Sequence, residues 1–96
     1  MKVIALLLTV SVLIFASRAE AQDAGRGAQL FASCVECHGQ NGQGIDGKGP
    51  VLAGQYDWYI VTSLSDYKKG ARKHPKVKAI SEQDMKDLAA HISRLK

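Results

Sequence analysis

Cys34, Cys37 and His38, within the run Cys34-Val35-Glu36-Cys37-His38, put two thiols and an imidazole within one potential helical turn. Residues three and four apart share a helix face, so these three side chains would project to the same side. That face suits haem. Two thiols can add across the vinyl groups of a flat porphyrin to form thioethers, and the adjacent imidazole can then coordinate the iron; C-x-x-C-H is the spacing of c-type haem attachment.

Other chemistries fit these residues less well. A thioredoxin-type dithiol needs a βαβ pattern around the C-x-x-C pair, and no β-rich run flanks it. A zinc site needs a fourth ligand and usually a second ligand pair, whereas the chain has no third cysteine and only His74 and His91 downstream. Two cysteines three apart on a helix are also poorly placed for a disulfide.

The elements that must position the motif are helical. Asp23 to Phe31 predicts a first helix, with Asp23 as N-cap and Ala24, Gly27, Ala28, Leu30 and Phe31 as its apolar stripe. A glycine on that stripe marks Gly27 as a point where another helix crosses closely. Residues 39–54 hold six glycines and one proline with no periodicity, which predicts a loop folding over the porphyrin edge on the proximal side. No Gly-Lys-Ser/Thr follows, so a phosphate cradle is excluded. Tyr56, Tyr59, Ile60, Leu64 and Tyr67 predict a middle helix over Gln55 to Tyr67, stopped by Gly70, with Trp58 off its stripe. Ser81 caps a last helix, with Asp84 as a capping-box partner and Met85, Leu88, Ala89, Ile92 and Leu95 on one face. The fold class is therefore all-α, three to four helices with no strand signal.

The start of the chain predicts export. An apolar run from Val3 to Ala16 is too short for a membrane span of about 20 residues, and Ala19-Glu20-Ala21 fits a cleavage site after Ala21. Residues 1–21 then form a signal peptide and residues 22–96 one small domain with no stable membrane span. Without Lys2, Arg18 and Glu20, 11 basic and 8 acidic residues remain, which does not point to nucleic acid. At this size an apolar core alone is marginal, so an attached haem would be structural as well as chemical.

Over Asp23 to Lys96 the chain resembles the class I c-type cytochromes, in particular the small monohaem bacterial electron carriers. The likeness is carried by Gly27 and Phe31, CVECHG, the loop ending GPVLAGQ, the YxxxSLxDYKKGxR stretch from Tyr59, and SEQDMKDLAAHI. It implies the small cytochrome c fold around one covalent haem c, thioethers at Cys34 and Cys37, His38 as proximal iron ligand, and a Pro50 carbonyl accepting the imidazole N–H. Such an acceptor fixes tautomer and ring orientation. The chain departs from the family where the distal methionine is expected: Gly70 to Ile80 contains no Met and is shorter than usual. Distal candidates are His74, held extended by Pro75, and Met85, which also fits an apolar helix face. His91 fits packing better, and a lysine or an iron with no strong protein ligand completes the set.

The expected function is single-electron transfer between larger redox proteins in the periplasm, without enzyme activity; no catalytic triad, paired-acid or nucleotide motif is present. A haem-based ligand binder or sensor and an electron-transfer subunit of a larger redox enzyme are the alternatives. Lys68, Lys69, Arg72, Lys73, Lys76 and Lys78 form a run without an acid that suits docking on an acidic partner protein.

Overall fold

Asp23 starts the first helix because its carboxylate accepts the Arg26 backbone N–H at 3.0 Å, satisfying a donor that the first turn leaves free. The computed structural model describes residues 21–77 and 79–96, and the helix after Asp23 is α1, Ala24–Phe31. Apart from Ala21, the expected signal peptide lies outside the described residues, as does Lys78 of the basic run. A short α2, Val35–His38, follows, then α3, Asp57–Lys69, and α4, Glu82–Ile92. Ser81 and Asp84 close a reciprocal capping box at the start of α4, each side chain accepting the other's backbone N–H.

α4 is the central element and packs against both α1 and α3. Phe31 from α1, Ile60 from α3, and Leu88, Ala89 and Ile92 from α4 form the buried core, flanked by half-buried Val35, Leu52, Leu64, Ile80 and Leu95. Burying one such large apolar side chain contributes about 1.5–3 kcal/mol. The described residues are all-α, with only an isolated bridge between Ile45 and Gly49 inside the loop.

Gly27 is where α1 meets α4. A Cβ there would overlap the Asp87 backbone carbonyl, so only glycine lets the helices approach this closely. Beside the crossing, the Asp87 carboxylate is buried and accepts the Asp23 N–H at 2.8 Å, Arg26 at 2.7 Å and Gln83 at 2.8 Å; Arg26 also pairs with Asp84. Burial by itself would raise the Asp87 pKa, but these hydrogen bonds and the Arg26 charge hold it below the ordinary carboxylate range.

The middle helix starts and ends two residues later than its periodicity predicts. Tyr56 stays outside it with extended backbone and is 72% exposed, and Tyr59 is 41% exposed. The inward arc of α3 is instead Ile60 and Ser63, with Leu64 and Tyr67 half-buried. Trp58 lies on the surface, its ring centroid 6.0 Å from that of Tyr56 and nearly parallel to it. Gly70 ends α3 in the left-handed conformation, as the sequence predicts.

Candidate haem site

Cys34 serves as N-cap of α2, and its carbonyl accepts the Cys37 N–H at 3.3 Å and the His38 N–H at 3.0 Å. This single turn carries both thiols and the imidazole. Neither cysteine is in a disulfide, and both are half-buried. Burial pushes the Cys34 thiol above its ordinary value, partly offset by the Ser33 hydroxyl. An activated redox dithiol needs the opposite shift.

His38 is 8% exposed, and its Nδ1 lies 2.8 Å from the Pro50 carbonyl oxygen. A carbonyl can only accept, so Nδ1 carries the proton and Nε2 keeps its lone pair for a metal. The loop reaches this position through glycine. A Cβ on Gly49 would sit 2.6 Å from the Cys37 carbonyl and 3.0 Å from His38 Cε1 and Nδ1. Gly49 was not singled out in the sequence, though the adjacent Gly49-Pro50 pair was its local signal. Backbone bonds lock the rest of the loop: Gly44 N–H to His38 O at 2.7 Å, Leu52 and Ala53 N–H to Gly42 O, and Gly54 N–H to Ile92 O on α4.

On the other side, residues 70–77 bring His74 against His38, ring centroids 6.2 Å apart and planes 21° from parallel. His74 Nδ1 accepts the Lys76 backbone N–H at 3.1 Å, and its ring meets Tyr67 at 5.0 Å. Burial, then the nearby His38 and Lys76, lowers the His74 pKa below the ordinary imidazole range. Lys76 also reaches Glu36 of the motif at 3.4 Å. Met85 is buried on α4 at 4% exposure. His91 packs its ring 5.2 Å from that of Phe31. A cleft of about 530 Å³ opens beside His74, lined by Tyr67, Lys69, Arg72, Lys73 and Val77 among others.

The residues fit a haem held from one face. Two unpaired thiols stand on the same turn as a buried imidazole whose Nδ1 is already bound, leaving one nitrogen to a metal. Among the described residues, no cluster of three or more His, Cys, Asp or Glu offers a rival metal site.

The cytochrome c family profile matches residues 24–96. The chain belongs to the cytochrome c family. It is 36% identical over 80 residues to cytochrome c-554(548) of Halomonas halodenitrificans, covering 76% of this chain and 96% of that one. It is 33% identical to cytochrome c4 of Pseudomonas aeruginosa, across 97% of this chain but 47% of the relative. The structure of cytochrome c4 from Acidithiobacillus ferrooxidans superposes with a TM-score of 0.69 at 36% identity, over 75% of this chain and 49% of that one. The chain thus spans about half the length of these c4 relatives and nearly all of the c-554(548) relative. Like other members of the family, this cytochrome carries covalently attached haem c and transfers single electrons. Among the described residues no helix is long and apolar enough to cross a membrane.

Proposed function

We infer that this cytochrome is a low-potential, bis-histidine electron carrier, with haem thioethers at Cys34 and Cys37, His38 as proximal ligand oriented by Pro50, and His74 as distal ligand. The separation of the His38 and His74 rings carries the assignment. With metal–imidazole bonds of about 2 Å, a metal between two imidazoles spaces their centroids by roughly 6 Å, close to the separation found here. His74 also directly precedes Pro75, which restrains its backbone, in the stretch where the family pattern places its distal residue. Met85 lies on the packing face of α4, where sequence periodicity also puts it.

The haem supplies reversible one-electron chemistry at its iron, and the protein tunes the potential through the axial ligands, burial and hydrogen bonds. Histidine in place of methionine lowers that potential. An imidazole accepting at Nδ1 carries its proton on Nε2. Ligation through His74 Nε2 therefore moves the ring proton to Nδ1 and turns the Lys76 amide away. The oxidised and reduced spectra of the haem-loaded protein test the assignment. Low-spin spectra without the weak red band of methionine ligation are expected, with conversion to high spin in His74→Ala; an unchanged low-spin spectrum in that variant excludes His74.

The carrier reading includes export, with residues 1–21 removed after Ala21 and the mature protein, which has no enzyme activity of its own, working in the periplasm. Docking is assigned to the basic run. Lys68 and Lys69 are exposed at the end of α3 and Lys73 in the segment beyond it, whereas Arg72 leans on Ser63 and Tyr67 and Lys76 on Glu36. Electron exchange with an acidic partner should slow as salt rises, because steering between exposed charges is screened beyond about 8 Å at physiological ionic strength. A rate indifferent to salt removes the steering.

A second reading is service as an electron-transfer part of a larger enzyme. It is supported by a structural likeness to the sulfane dehydrogenase SoxCD of Paracoccus pantotrophus, TM-score 0.53 at 26% identity over 74% of this chain and 42% of that one. Co-purification with a larger oxidoreductase would favour it over a free shuttle.

A further inference from the structure

We propose that Tyr67 and Arg72 form a positioning clamp that sets the orientation of His74 on the distal side and so its hold on the iron. The proposal rests on His74 being the distal ligand.

The backbone leaves this task to side chains. After Gly70 turns the chain out of α3, Ala71 and Arg72 donate their N–H groups to the Asp66 carbonyl at 2.9 and 3.2 Å. Beyond them, the next described hydrogen bond from a backbone N–H in this segment runs from Lys76 to His74 itself. Ligation would remove that bond, whereas the Tyr67 ring, 5.0 Å from His74 and tilted 55° to it, remains as a contact that can fix the imidazole plane.

Tyr67 is held in turn. The Arg72 guanidinium lies over the Tyr67 ring, 4.9 Å from its centroid, and its Nη1 donates to the buried Ser63 hydroxyl at 3.2 Å. Ser63 and Tyr67 are one helical turn apart on α3, so the guanidinium lies along the helix surface and clamps the ring from outside. A planar guanidinium can stack on an aromatic face and hydrogen-bond at the same time, which an ammonium does poorly. Contacts behind a metal-ligating imidazole orient it; loss of a hydrogen-bonded one commonly weakens binding by about 10–100-fold, and a packed ring such as Tyr67 is expected at the lower end of that range.

The test uses the oxidised, haem-loaded protein and measures the rate at which cyanide displaces the distal ligand, together with the midpoint potential. Tyr67→Leu and Arg72→Ala are each expected to speed displacement by about tenfold and to move the potential. Ser63→Ala should give a smaller increase, and Tyr67→Phe, which keeps the ring, should match the parent. The Tyr67→Leu/Arg72→Ala double variant should be no faster than the quicker single, because both act through one stack. Parent-like rates in Tyr67→Leu and Arg72→Ala overturn the clamp. So does a Tyr67→Phe variant as fast as Tyr67→Leu, or full additivity in the double. The spectrum of His74→Ala separates the two failures: unchanged low spin removes the ligand assignment and the clamp with it, whereas high spin alongside parent-like clamp variants removes the clamp alone.

Discussion

The two sides of the site are built by different means. Around His38, the 39–54 loop is backbone-made: glycines allow close approach, carbonyls and amides pair within the loop, and Gly54 ties it to α4. Around His74, side chains do the positioning, through the Tyr67 ring, the Arg72 guanidinium and the exposed Lys76–Glu36 pair. A side built from backbone tolerates little change, because a collision there moves the whole loop. A side built from side chains can be retuned one residue at a time, which would suit the distal position proposed for His74.

The contrast is most directly broken at Gly49. Gly49→Ala drives a methyl into the Cys37 carbonyl and the His38 ring. Such overpacking should cost about 2–3 kcal/mol, read as a lower urea midpoint, and should shift the haem spectrum through loss of the Pro50 contact. A silent Gly49→Ala would mean that the proximal side is as forgiving as the distal one.

Asp87 sharpens the comparison, because it braces α1 against α4 and belongs to neither side of the haem. Asp87→Asn should cost about 2 kcal/mol by weakening hydrogen bonds to a charged acceptor, while leaving the spectrum unchanged. Since the folded Asp87 pKa is depressed, its contribution is present above the unfolded pKa and lost as pH falls through the folded value. The urea midpoint of the parent should thus drop below about pH 4, and that of Asp87→Asn should fall less over the same range. Equal slopes would remove Asp87 as the acid-sensitive brace.

Gly70 provides the smallest effect. Its φ is 81°, but a Cβ there meets nothing within 4 Å. Gly70→Ala should therefore cost only about 1 kcal/mol, the conformational term alone. A loss as large as that of Gly49→Ala would show that the distal segment is as tightly built as the proximal loop.

Local chemistry made much of this legible in advance. Asp23 and Ser81 cap their helices through hydrogen bonds spanning three residues, and C-x-x-C-H needs only one turn to bring its three groups together. Gly27 was readable as a crossing because a glycine on an apolar stripe has few other uses. Tyr56 and Tyr59 were misplaced on the buried stripe because periodicity does not reveal where a helix begins, and a start two residues later leaves Tyr56 outside it.

By itself, then, the sequence determined the cofactor chemistry, the all-α class and the caps, all set by neighbours along the chain. Asp87 gave no such signal, since its partners Asp23 and Arg26 lie more than 60 residues away. Only the tertiary structure brings the His74 ring against that of His38, with Tyr67 against His74 and Arg72 over Tyr67. Those contacts depend on how the end of α3 and the segment after Gly70 pack together, which no spacing within either segment encodes.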